Sequence, residues 1–167
     1  MKFDFKDRFI VAQYLNSHEF KETSEDIGLD EAIKRTVVVE CFLALFNDFR
    51  YRVALPLLHY QFPTEKEQLN KLSEDNPHGF MRLFYEKYTE AKFLSTDILA
   101  MLDDVSMQTK ILEEKWNMCN LDPNIEHNKI LEMVEFALKT TETSLENVSK
   151  IHSYLEKSKI INGQATK

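Results

Sequence analysis

The stretch LDEAIKRTVVVECFLALFNDFRYRVALPLLH, Leu29 to His59, decides how this chain reads. Leu29, Ile33, Val37, Cys41 and Leu45 recur every four residues, and Val38, Phe42, Leu45 and Phe49 form a second line at steps of three and four. Those intervals belong to an α-helix. Two apolar lines leave most of the circumference apolar, which makes this a central helix surrounded by others. Val37–Val39 would also suit a strand, but both flanks keep helical spacing and no turn residues bracket the triplet. The pattern continues through Tyr51, Val53, Ala54 and Leu57. Pro56 should kink or end it, because its ring collides with the carbonyl of Arg52 four residues back.

Working outward, Phe5, Phe9 and Ala12, with Ile10 and Tyr14, predict a first helix over residues 4–16, and the polar residues 17–28 predict a loop. Downstream, Thr64–Glu67 (TEKE) matches a capping box after Pro63 and predicts a short helix to about Ser73. Asn76-Pro77 is a second start signal, a capping side chain followed by proline in the first helical position. From there Phe80, Phe84, Tyr88, Ala91, Leu94, Ile98 and Met101 keep one face apolar for about seven turns. Ser106 can cap a further helix carrying Ile111, Leu112 and Trp116. Asp122-Pro123 repeats the Asn-Pro logic and opens the last helix. In it Leu131, Val134, Leu138, Thr141, Leu145, Val148, His152 and Leu155 alternate by three and four, the seam of a long packed helix. The expectation is an all-α, single-domain bundle of about five to six helices over residues 1–160. It has a long C-terminal helix and a tail over residues 161–167.

Composition agrees. Three glycines and four prolines among 167 residues are too few for a β-rich fold, which needs turn residues about every 8–12 positions. A net charge of −7 disfavours nucleic acid as a partner, since phosphate neutralisation needs a basic surface. Cys41 and Cys119 lie far apart, Cys41 in an apolar run, and no signal-peptide pattern opens the chain. Together these point to a reducing, cytoplasmic setting. Val37–Phe46, the longest apolar stretch, is interrupted by Glu40 and is about half the length of a membrane span.

Chemical candidates are few. The five histidines include no i, i+4 pair and no Glu-x-x-His, so neither a metal centre nor a cofactor is expected. Three scattered glycines cannot build a phosphate-binding loop. The most pointed pair is Arg52 and His59, with six residues between them. On an unbroken helix seven steps return to nearly the same face, and both side chains could reach one phosphate. Arginine would hold the charge and histidine would move a proton. The spacing resembles the Arg-x6-His motif of HEPN-domain ribonucleases, which are also small α-helical proteins. The resemblance implies a ribonuclease with Arg52 and His59 as catalytic residues, or an inactive relative. The chain departs from that pattern in Pro56, between the two, and in Val53 where a polar residue should follow the arginine. On the structural alternative, Arg52 pairs with a carboxylate and His59 is partly buried near the kink.

Glu40, inside VVVECFLALF, should be at least partly buried. It is half of a buried ion pair with arginine or lysine, a hydrogen-bond partner of tyrosine, or else a general base or ligand-orienting group in a core cavity near Phe42 and Tyr51. Arg50, Tyr51 and Arg52 form a cluster to set beside Glu40 and Asp48. Trp116 and Met118, at a helix end, are either an exposed anchor for a partner or a lid over the core. The leading expectation is a non-enzymatic protein–protein interaction module, such as a regulator, an immunity protein or a phage or viral inhibitor of a host protein. Trp116, Met118, Glu40, Arg50 and Tyr51 are its candidate binding residues, with self-association through the C-terminal helix a secondary expectation.

Overall fold

The computed structural model describes residues 5–17 and 26–161. The described residues are all-α, with no strand among them. The elements are α1 (Phe5–Ser17), α2 (Asp26–Phe49), a π-helical turn (Arg50–Ala54), α3 (Leu55–Gln61), α4 (Lys66–Asp75), α5 (Pro77–Lys87), a 3₁₀ turn (Tyr88–Glu90), α6 (Thr96–Leu121) and α7 (His127–Lys157). Since α2, the π turn and α3 abut, residues 26–61 are one uninterrupted helical stretch, and the helices then number six. Most of the expected loop over 17–28 and nearly all of the tail over 161–167 lie outside the described residues, as does His18. Residues 26–28 are already helical.

The described chain divides into two compact units. Unit 1 comprises Met1–Asn47 and Met107–Leu145; unit 2 comprises Asp48–Ser106 and Glu146–Lys167. In unit 1, Arg8 meets Glu40 and Lys34 meets Asn16. The inverse numbering makes α1 antiparallel to α2. Phe42 stacks on Trp116, and Arg35 donates to the carbonyls of Cys119 and Asp122, so α2 is antiparallel to α6. Cys119 against Met133 and Lys115 over the Phe136 ring pair α6 with α7 in the same sense. Buried Thr141 donates to the Cys41 carbonyl, which satisfies a polar residue on the seam. Val37, Val38, Cys41, Phe42, Ala44, Leu45 and Phe46 are all buried, as a central helix requires.

In unit 2, Phe49 meets the edge of Phe84, and Phe84 stacks on Tyr88. The Tyr88 hydroxyl donates to the Asp103 carboxylate, and burial together with that carboxylate pushes its pKa up to about 12. Asn147 donates to Asp104, joining α7 to α6.

Several helix ends differ from expectation. The Asn76 side chain caps α5 by accepting from the Gly79 N–H, as the Asn-Pro signal requires. The expected capping box at Thr64–Glu67 does not form. Pro63 and Thr64 are taken up in a turn closed by Glu65 N–H on the Phe62 carbonyl, and Glu65 becomes the N-cap without a side-chain bond. The single helix expected from Pro77 through Met101 is two. The steps of three from Tyr88 to Ala91 to Leu94 suit a 3₁₀ turn as well as an α-helix, and all three residues are buried on either side of a real break. Ser95 restarts the chain by accepting from Ile98 N–H. Ser106 therefore caps nothing and lies buried within α6. Asp122-Pro123 does not open α7 either; Asp122 accepts from Asn124 N–H in a local turn, and α7 starts at His127. The buried line of α7 is Ile130, Val134, Ala137, Thr141, Ser144, Val148, Ile151 and Leu155, which leaves Leu131 exposed.

Candidate functional site

Proline at 56 has no N–H to give to the Arg52 carbonyl four residues earlier. The backbone accommodates it by widening Arg50–Ala54 into a π turn in which Leu55 N–H reaches the Arg50 carbonyl. His152 Nδ1, from α7, lies 3.0 Å from the Arg52 oxygen. A carbonyl only accepts, so Nδ1 carries the proton in that bond. His152 Nε2 lies 3.4 Å from Glu156, one turn on. His152 is thus a positioned packing residue of the unit 2 interior.

Around the π turn the side chains are committed. Asp48 is wholly buried and pairs with Arg52 at 3.2 Å; Arg52 Nη1 also lies 3.4 Å from the Ser149 hydroxyl. Arg50 is buried, donates to the Ser73 carbonyl at 3.1 Å and lies 4.3 Å from the centre of the Tyr51 ring. Burial lowers the Arg50 pKa, and Tyr51 partly offsets it. His59 faces α4. Burial, then the charge of Lys66, lowers its pKa below the usual 6.5, while hydrogen bonding with Asn70 and the Lys66 backbone works the other way. Arg52 is therefore directed to α7 and His59 to α4. The seven-step coincidence of faces holds for a regular α-helix, and the π turn adds rotation between the two. The pairing of Arg52 with a carboxylate and the half-burial of His59 match the structural alternative.

Glu40 is paired with Arg8 at 2.8 Å, with about a fifth of its side chain exposed, the ion-pair reading. Arg50 has its contacts with Ser73 and the Tyr51 ring, and Arg52 with Asp48 and Ser149, as described above. Trp116 is half-buried with its ring 4.9 Å from that of Phe42, a lid over the unit 1 core; Met118 is likewise half-buried.

What the sequence did not single out is an open groove of about 500 Å³ between α1 and α7 in unit 1. Phe9, Leu131, Val134 and Leu138 supply its apolar walls. Gln13 and Asn16 edge it from α1, and Glu135, Lys139 and Glu142 edge it from α7. Off the α1 face that lines the groove, Ile10 (61%), Val11 (47%) and Tyr14 (63%) are exposed, and α7 exposes Leu131 (40%). The signal in the sequence is that α1 has two apolar lines, Phe5–Phe9–Ala12 and Ile10–Tyr14, and only the first has Ala12 to bury.

Comparison with protein-family models, with curated proteins and with solved structures finds no match to this chain. Among the described residues no group of three or more His, Cys, Asp or Glu could hold a metal ion, and no helix is long and apolar enough to cross a membrane. Chemically, the groove can bury apolar side chains and meet charge at its α7 edge. In the π-turn cluster, Arg50 bonds to Ser73 and Arg52 to Asp48 within unit 2.

Proposed function

We propose that this chain is a protein–protein interaction module that recognises its partner through the α1 side of unit 1. One observation carries the reading: Ile10, Val11 and Tyr14 form an exposed apolar ridge on α1. Scattered surface apolar residues are ordinary, whereas a contiguous patch rimmed by polar groups is characteristic of a contact surface. Tyr14 lies one turn on from both Ile10 and Val11 and is a helix-surface neighbour of each, so a partner can meet the ridge around it. Tyrosine brings large apolar area to a contact surface.

The test is affinity capture of the tagged full chain from cell extract, with and without nuclease, beside the Ile10→Glu/Tyr14→Glu double variant. A stoichiometric protein that survives nuclease and is lost with the double variant supports the module. A partner released by nuclease, or RNA recovered with the chain, transfers the function to the Arg52–His59 reading. A partner held equally by the variant moves the contact away from α1.

A further inference from the structure

Unit 1 brings together α1, the first part of α2, the last part of α6 and the first part of α7. Four of its helix pairs are closed by contacts already described, α1 with α2, α2 with α6, α6 with α7, and α2 with α7 through Thr141 on Cys41. The α1–α7 side is the open groove. Helix α1 is held back from it by Arg8 on Glu40 and Lys34 on Asn16, both of which tie it to α2. Along α7 the groove runs from Leu131 to Glu142, about 17 Å at the α-helical rise, or about three turns. That is the length of one short helix.

We propose that the groove receives a partner protein's amphipathic helix bearing basic residues beside its apolar stripe. This rests on the interaction-module reading and specifies its partner. The apolar walls of Phe9, Leu131, Val134 and Leu138 take the stripe in the helix-in-groove manner. The α7 edge supplies charge selection. Glu135 and Glu142 are seven residues apart, so they project from one face two turns apart, with Lys139 between them. The edge carries one negative charge in excess, and the chain's net charge of −7 extends the same sign. A basic helix is drawn in and an acidic one opposed. A second copy fits less well. Its exposed α1 stripe, Ile10, Val11 and Tyr14, opens with Asp7, which brings a further carboxylate to this edge.

Two fluorescent helical peptides of about sixteen residues test the proposal. Both carry Leu at i, i+3, i+4 and i+7; one is flanked by Lys and Arg, the other by Glu. Fluorescence anisotropy with the full chain should give at least about tenfold tighter binding of the basic peptide, with the gap narrowing at about 0.5 M salt. Because Glu135 and Glu142 are exposed, Glu135→Lys/Glu142→Lys should keep its fold, checked by circular dichroism, and should reverse the preference. Equal binding of both peptides, binding of neither, or a preference unmoved by the charge reversal overturns the proposal. So does a dimer in sedimentation that Leu131→Glu dissociates, since a second copy then fills the groove. The outcomes separate the two readings. If affinity capture yields a protein that Glu135→Lys/Glu142→Lys retains, the module stands and this groove is not its site. If wild type captures no protein, both fall.

Discussion

Two junctions in this molecule join helices by opposite means, α1 on α2 in unit 1 and the π turn on α7 in unit 2. At the first, every backbone hydrogen bond can stay within its own helix, and the polar ties are between side-chain tips, Arg8 with Glu40 and Lys34 with Asn16. At the second, proline removes a backbone donor, the helix widens, and His152 from α7 reaches a main-chain oxygen at 3.0 Å. A wholly buried carboxylate, Asp48, anchors Arg52 nearby. Side-chain ties at a surface can be cut cheaply. A neighbour that satisfies the backbone cannot be removed without leaving a polar group unpaired in the interior.

Breaking the second junction should therefore cost more. Asp48→Ala is expected to lose about 2 kcal/mol, between the values for a buried pair and a surface pair because Arg52 is partly exposed. Urea unfolding checks this, and a loss as small as that of a surface charge would contradict the account. The next effect sharpens the role of Pro56. His152→Ala should cost about 1 kcal/mol in the native chain and measurably less in a Pro56→Ala background, where residue 56 regains an N–H for the Arg52 carbonyl. A double-mutant cycle that closes additively would show that His152 and Pro56 are unrelated. The first junction sets the lower bound. Glu40→Ala should cost about 0.5 kcal/mol, and less in high salt, because both partners of its ion pair are partly exposed.

The last expectation is a slope with pH. The folded state holds His59 below its unfolded pKa near 6.5, so folding favours the neutral ring. That contribution is complete above the unfolded pKa and is lost as pH falls toward the folded one. Between pH 7 and 5 wild type should therefore lose more stability than His59→Gln. Parallel melting curves for the two would remove the assignment.

These contrasts also explain what the sequence could reveal. Helix α2 was legible because apolar residues on most of its circumference leave one solution, a central position, and Val37, Val38, Cys41, Phe42, Ala44, Leu45 and Phe46 are buried accordingly. Asn76-Pro77 was legible because its capping bond is local. The break between α5 and α6 was not, since no Gly or Pro marks it and Tyr88, Ala91 and Leu94 keep apolar spacing across it. The nearest clue was Ser95-Thr96-Asp97, a capping serine followed by an acidic first turn. The π turn follows from Pro56, but a kink, a stop and a widened turn are equally consistent with a missing N–H; the choice depends on His152, about a hundred residues away in the chain. Of the candidate site, the pairing of Glu40 was legible in kind, though not Arg8 as its partner. The groove was not, because a stripe that includes Leu131 and Leu138 reads as core until the neighbouring helix is seen to stand off from it.

The aromatic and thiol residues are unevenly shared. Trp116, the chain's one tryptophan, and both cysteines belong to unit 1, whereas Tyr51, Tyr60, Tyr85, Tyr88 and Tyr154 belong to unit 2 and only Tyr14 to unit 1. Both thiols are free and buried, and burial pushes the Cys41 pKa up to about 12. Each stays unreactive toward alkylating reagents until its surroundings open. The native chain thus contains its own set of reporters. Indole emission and thiol capture time the opening of one unit, and tyrosine absorbance follows mainly the other. Whether the two lose structure in a single cooperative event can be read from the unlabelled wild-type protein.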